Sequence, residues 1–427
     1  MSASGDRQRF EILGHVYGVD DEGFQEALSR VHDSGPRPRC LCRKGGVEMY
    51  VARHGRFVVK RMPDTGSLHH PGCPSYEPEA AQSGLGELMG DAVLELQPGQ
   101  VELRVDFPWA HALGTDSVRN RGERGDPGEV QAPRRRMSLR AVTHYLFERA
   151  GFNRWTPAMA GKRRQAVIQK YLLEAASDIS IKGERLAQRL YVPEAFNEAT
   201  HTEAARRRRE KLALLQPTNN RMPLALLIGE FKTAEASGSS VRVWIKHMPD
   251  VPLWADRQVW ARIERAFAAV FEARGADVGA KPRLILSTLI RARREHTYEI
   301  DTASMMLTSE QWIPVEGVHE LPLIRALVEQ ERRFVKPLCY DAGSAGRFPN
   351  VLLLDAGARP VPLHVTSAFL PAAEQAAKTR ALSADAESGE AVWVWASDQP
   401  MPLLPAIVGE PVANAGRVDS PRGSAIG

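Results

Sequence analysis

Cysteine is scarce in this chain. Four cysteines in 427 residues cannot supply a disulfide framework for a protein of this size. Long apolar runs are also missing. MPLALLIG is among the longest, well short of the roughly 18 residues of a membrane span. The opening MSASGDRQRF lacks the apolar core of a secretory signal, and no Gly-x4-Gly-Lys-Ser/Thr loop suggests a nucleotide-driven motor. These absences predict a cytoplasmic chain with no membrane partner. What is present is ordinary globular composition, 43% hydrophobic and 25% charged, enough for roughly two to four folding units.

Changes of texture along the chain predict an α+β, multidomain protein. Residues 1–35 are a polar lead with one short helix in DDEGFQEALSRVHDSG, which Asp20 or Asp21 can cap. Residues 36–112 read as a small zinc-binding β unit. Its runs EMYVA and RFVVK meet at His54-Gly55 as a hairpin. Residues 113–133, rich in Gly and Arg, read as a linker. Residues 134–216 read as a basic helical domain. Ser138 caps its first helix, Gly151 stops it, and Thr156-Pro157 starts a second that runs to about Ser177. An α/β domain follows over 217–318, then an α/β core over 319–398, then a flexible tail over 399–427.

Three of the four cysteines fall close together. Cys40 and Cys42 precede the hairpin, and His70 and Cys73 follow it, so the hairpin returns the second pair to the first. Three thiolates and one imidazole make a closed tetrahedral zinc site of the structural kind. His69 is an alternative to His70 that spacing does not separate. Cys339 lies in the apolar run FVKPLCY and reads as a small core residue.

The net charge of +4 is unevenly spread. From Arg134 to Lys211 the excess of Lys+Arg over Asp+Glu is ten, and the rest of the chain is acidic by six. Arg134, Arg135 and Arg136 form one cluster. Arg154, Lys162, Arg163 and Arg164 form a second, and Arg206, Arg207, Arg208 and Arg209 a third. Such an excess over a whole module suits phosphate contact, with nucleic acid as the expected partner. The competing reading is a solvated helix face. Trp155, at a helix start, reads as core packing rather than a base-stacking platform.

Phosphodiester hydrolysis needs carboxylates around Mg²⁺ and a nearby lysine. Glu230 and Lys232 share one strand face in Gly-Glu-Phe-Lys, but no acidic partner lies on a strand upstream. The C-terminal order of helix, three strands, helix and strand resembles the PD-(D/E)-x-K nuclease core. The motif positions would be Pro349-Asn350 and His364-Val365-Thr366. Asn, His and Thr then stand where acids and lysine belong, and they cannot supply the negative charge that holds Mg²⁺. Asp341, Asp355 and Glu374 read as turn or surface carboxylates rather than migrated ligands.

Cys-x-Cys, His-x2-Cys, LFERAGFNRWTPAMAGKRR, YVPEAF, LIGEFK and RRFVKPLCYDAGSAGRFPNVLLLD together resemble an uncharacterised bacterial domain-of-unknown-function family. That family has N-terminal cysteines and is often carried on integrative and conjugative elements. The resemblance implies a setting of mobile DNA and names no reaction. The expected function is a zinc-containing, DNA-associated accessory protein without catalysis. The alternatives are a Mg²⁺-dependent nuclease with a migrated site and a protein-interaction scaffold.

Overall fold

A computed structural model of the chain describes residues 8–32, 35–112, 135–275, 281–367, 370–387 and 392–408. The expected linker 113–133, Arg134 and most of the expected tail lie outside the described residues. The architecture is mixed α+β. No helix among the described residues is long and apolar enough to cross a membrane.

The N-terminal sheet has five strands. Arg9–Ile12 pairs with His15–Gly18 and with Arg39–Cys40, which passes the ladder to Val47–His54 and Arg56–Arg61. The last two strands are the expected hairpin. His54 faces Arg56 across Gly55, whose φ of 73° is the left-handed value a tight turn needs. The helix before it runs Phe24–Val31 and buries Phe24, Leu28 and Val31. Its N-cap is Gly23 rather than Asp20 or Asp21, because the Asp21 carboxylate turns back to accept the Gly18 N–H.

The centre is a seven-stranded sheet in which Ala225–Ser237, Ser240–Ile245, Met248–Asp256, Thr297–Thr308 and Arg283–Arg294 close into a ring. The ring closes because Ala225–Ser237 also pairs antiparallel with Arg283–Arg294. One face of these strands packs Leu227, Val243, Leu253 and Leu286 together under the helix Arg257–Ala266. The opposite face of the paired wall presents Leu226, Ile228, Ile285 and Leu289 to helices Leu139–Arg149 and Gln165–Ser177. Period-2 alternation in the strands thus serves two cores at once.

The segment read as a helical domain also supplies short strands to three sheets. Arg154–Trp155 joins the C-terminal sheet, Ile179–Ile181 pairs with Gln100–Leu103, and Leu190–Tyr191 pairs with Ala225–Ser237. Ser138 caps helix Leu139–Arg149 by accepting the Ala141 N–H, and Gly151 follows its end at φ 76°. The second helix does not start at Thr156-Pro157. Proline opens only a 3-10 turn, Pro157–Met159, and Gly161 at φ 69° breaks the path, so the helix begins at Gln165.

The C-terminal sheet orders its strands Trp393–Ala396, Val361–Thr366, Val351–Leu353, Phe334–Val335 and Arg154–Trp155. The middle pairings are antiparallel, whereas Val361–Thr366 and Trp393–Ala396 run parallel, joined by helix Ala372–Glu387. The helix Leu321–Glu329 contributes Leu321, Leu323, Ile324 and Leu327 to the core of this sheet, together with Trp155, Phe334 and Val365.

Candidate functional site

The strand Arg39–Cys40 ends at the ligand pair, and the chain returns from the hairpin through the turn Gly66–Leu68 to His69. Cys40, Cys42, His69 and Cys73 converge, their ligand atoms all within 4.8 Å of one another. The Sγ atoms of Cys40 and Cys73 are 3.7 Å apart. His69 Nδ1 lies 3.3 Å from Cys42 Sγ and 3.8 Å from Cys73 Sγ. Zinc–sulfur bonds of about 2.3 Å in a tetrahedron give edges of ~3.8 Å, so these residues fit a bound zinc.

His69 takes the position assigned to His70. The His70 ring instead accepts the Gly72 N–H at Nδ1, while its own backbone N–H points to Cys42 Sγ at 3.4 Å. Further donors surround the sulfurs. Gln8 Nε2 lies 3.3 Å from Cys40 Sγ, and the Ser75 N–H lies 3.4 Å from Cys73 Sγ. Such N–H···S contacts hold ligands in place and offset thiolate charge. Hydrogen bonding from Cys42 and then Cys73 holds the Cys40 thiol far below its ordinary range. Sharing with Cys40 pushes the other two thiols up. His69 Nε2 is buried with no hydrogen-bond partner among the described residues.

The ligand loop is tied to the rest of the molecule. Arg154 Nη1 donates to Pro74 O at 2.6 Å, and Arg333 Nη1 donates to Gly72 O at 3.2 Å. Val335 and Leu354 of the C-terminal sheet join the same apolar cluster as Cys40 and Cys73. A zinc ion here would fix a loop on which two other elements dock.

The second place with chemistry is a cleft of about 300 Å³ above the C-terminal sheet, lined by Arg140, Lys336, Asn350, Glu374 and Lys378 among others. Asn350 and His364, the two expected motif positions, lie in one buried polar network. Asn350 Nδ2 donates to Glu320, and its Oδ1 accepts the Val365 N–H at 2.8 Å and Lys378 Nζ at 2.9 Å. His364 Nε2 is 2.8 Å from Asp385, and its Nδ1 is 3.5 Å from Lys378 Nζ. Lys336 Nζ pairs with Glu320 at 3.1 Å, both almost wholly buried. Burial, then the Lys378 charge, brings His364 down to about 4, and burial brings Lys378 down to about 8.

Sequence reasoning missed Glu320, Lys336 and Lys378. Lys336 did leave a signal, a charge inside the apolar run FVKPLCY. Lys378 left little, since it sits mid-helix in an alanine-rich stretch like any surface lysine.

The remaining expected carboxylates have structural duties. Asp355 accepts from Arg332 and from the Arg333 N–H, and Asp341 accepts from the Ser138 backbone and hydroxyl. Glu374 accepts from Ser344 and Gly346, and Glu230 pairs with Lys246 and Arg283. Cys339 is buried as expected, yet polar in its contacts. Its thiol lies 2.8 Å from Glu316 and 2.7 Å from Arg140 Nη2. His144, Glu316 and Cys339 also bring ligand atoms within 4.8 Å of one another. Arg140 already claims the carboxylate and the sulfur, and the Tyr340 N–H claims His144 Nδ1, so this set is a hydrogen-bond network.

The basic residues divide. Arg163 is interior. It donates to the carbonyls of Gly151, Phe152, Arg154 and Gln311 and lies over the rings of Phe152 and Trp155, and burial brings it down to about 9. Arg208 is buried against Asp250, and Arg154 braces the ligand loop. Arg206 and Arg207 are paired with Glu203, Glu210 and Glu194. Arg135 pairs with Glu87, while Arg136, Lys162, Arg164 and Arg209 are exposed. Trp155 is core, 2% exposed.

A family model described as a protein of unknown function, DUF1173, matches residues 10–398. The chain belongs to the DUF1173 family. The DUF1173 match includes both the ligand cluster and the C-terminal cleft. No curated protein and no solved structure matches the chain.

Proposed function

We propose that this DUF1173 protein is a zinc-containing, DNA-associated accessory factor of a bacterial mobile element, acting without catalysis. The observation that carries the reading is the Cys40–Cys42–His69–Cys73 cluster, whose spacing suits a closed structural zinc and leaves no position for substrate. Support for the nucleic-acid part comes from the exposed cations Arg136, Lys162, Arg164 and Arg209, which have phosphate-binding chemistry and lie in the segment of greatest basic excess.

The nuclease alternative draws support from the C-terminal pairing, three antiparallel strands and a parallel fourth reached through a helix. The residues at its centre favour the non-catalytic form, because an amide, an imidazole and two ammonium groups stand where a divalent cation needs acids.

The test is binding of purified full-length protein to DNA across a salt series. Affinity should fall steeply from about 50 to 200 mM salt and weaken when Lys162, Arg164 and Arg209 are neutralised together. DNA binding unchanged in that triple variant would overturn the choice of surface. DNA cleavage with Mg²⁺ or Mn²⁺ would overturn the non-catalytic reading.

A further inference from the structure

We propose that the cleft above the C-terminal sheet holds a phosphate group of a nucleic-acid strand without a divalent metal, with Arg140 and Lys336 as the contacting cations. This rests on the nucleic-acid reading above and names a site for it.

The argument is an imbalance of donors and acceptors. Two of the three acids at the cleft, Glu316 and Glu320, accept on both carboxylate oxygens, and Glu374 accepts on Oε2 alone. Glu316 accepts from Arg140 and from the Cys339 thiol. Glu320 accepts from Asn350, from Lys336 and from the Glu316 N–H, and Glu374 accepts from Ser344 and Gly346. The cations keep spare donors. Lys336 is 2% exposed and spends two of its three protons, on Glu320 and on Pro337 O at 3.3 Å. Arg140 bonds through Nη2 alone, which leaves Nη1 and Nε, and its side chain is half-exposed at the cleft. Spare donors facing a cavity call for an acceptor-rich ligand, and a guanidinium beside an ammonium suits phosphate.

Lys378 explains why no metal is needed. Its three protons match three acceptors, Phe348 O at 2.7 Å, Asn350 Oδ1 at 2.9 Å and His364 Nδ1 at 3.5 Å. The contact between His364 Nε2 and Asp385 keeps Nδ1 free to accept. A fixed monovalent cation therefore occupies the centre of the polar network. A buried ion pair returns little net stability over an apolar replacement, so keeping Lys336–Glu320 beneath a cleft argues for use. The volume of about 300 Å³ is at the lower end of small-ligand sites, room for one phosphate-bearing unit of a strand.

The test is fluorescence anisotropy of full-length protein with a single-stranded oligonucleotide, with and without a 5′-phosphate, in magnesium-free buffer and with added Mg²⁺. Binding should not need Mg²⁺, and added Mg²⁺ should leave it equal or weaker, since the cation competes for phosphate. Arg140→Gln and Lys336→Met should each weaken it roughly tenfold or more, while the exposed control Lys170→Gln leaves it unchanged. Lys336→Met is read only if its melting curve stays cooperative, and Arg140→Gln, half-exposed, carries the test otherwise. A preference for the phosphorylated strand assigns a terminal monoester and equal binding assigns an internal phosphodiester; either supports the site. If wild type binds and both folded variants bind equally well, this inference falls and the surface reading stands. Binding that needs Mg²⁺ also overturns it. If wild type binds no single strand, this inference falls, and only if it also fails to bind DNA in the salt series does the nucleic-acid reading fall with it.

Discussion

The ammonium of Lys378 lies 2.9 Å from Oδ1 of Asn350, so a lysine from helix Ala372–Glu387 is bonded to the side chain at which the nuclease comparison calls for a metal-binding acid. The amide nitrogen of Asn350 faces Glu320 at the same time. Asn is the one residue type of this shape that can accept from an ammonium and donate to a carboxylate at once.

Replacing Asn350 by Asp removes that double role. Asn350→Asp sets a carboxylate against Glu320, with only Lys378 and the Val365 N–H to offset it. The variant should lose about 2 kcal/mol of stability and gain no Mg²⁺-dependent cleavage, because Lys378 still fills the centre. Denaturant unfolding and a plasmid nicking assay check both halves. Cleavage by the variant would mean the ammonium yields to a metal.

Lys378 should also leave a mark on the pH dependence of stability. Burial lowers it from the ordinary lysine value of 10.5 to about 8, so between about pH 8 and 10 the unfolded chain binds the proton that the folded chain has released. Stability then rises with pH through this window, by up to ~3 kcal/mol from this group alone. Lys378→Met removes the contribution. The difference in unfolding free energy between wild type and Lys378→Met should slope upward from pH 8 to 10. A flat difference would show that the ammonium is not held at that cost.

His144 works on the acid side. Burial brings it to about 4, and the Tyr340 N–H donates to its Nδ1, so the folded protein keeps a neutral ring while the unfolded chain protonates near pH 6.5. Below pH 6.5 the unfolded state binds the extra proton, and stability falls as pH drops towards 4. His144→Asn should flatten this part of the curve, as thermal melts across pH 4 to 7 would show. An unchanged slope would assign the acid loss to other groups.

The candidate metal cluster separates two adjacent residues. His69→Ala should lose stoichiometric zinc and lower the melting temperature, and His70→Ala should keep the zinc, since only the His69 ring reaches the sulfurs. Elemental analysis of the two purified variants decides it. Retention of zinc by His69→Ala with loss by His70→Ala would reverse the assignment.

These contrasts show which features were legible in the sequence. The hairpin was, because two short apolar runs meeting at His54-Gly55 read as paired strands around a tight turn. The clustering of Cys40, Cys42 and Cys73 was, because spacing alone brings them to one end of that hairpin. The choice between His69 and His70 was not. It depends on the turn after Gly66–Leu68, which points one ring at the sulfurs and the other at Gly72. The cleft was half legible. Asn350 and His364 were picked out by element order, but Glu320, Lys336 and Lys378 reach them through packing between segments far apart in sequence, and no local pattern records that. The arginine runs misled most. Arg163 and Arg208 sit beside exposed cations in the chain yet face inward, Arg163 from the turn before helix Gln165–Ser177 and Arg208 because successive residues of helix His201–Lys211 change face.

Arg208 and Arg209 turn that last point into a measurement. Arg208 is 6% exposed and pairs with Asp250, whereas Arg209 is exposed. Asp250 is exposed and water can replace the guanidinium there, so the cost of removing Arg208 comes from the apolar part of its side chain, which packs in the interior. Arg208→Ala should therefore cost about 2 kcal/mol in urea unfolding. Arg209→Ala should stay within about 0.5 kcal/mol of wild type, the usual range for an exposed substitution. Under the nucleic-acid reading the order inverts for binding: Arg209→Ala lowers the dependence of log affinity on log salt by about one unit or less, because one fewer phosphate contact releases one fewer counterion. Equal stability losses in the two variants would contradict the burial difference, and an unchanged salt slope in Arg209→Ala would remove that residue from the contact surface.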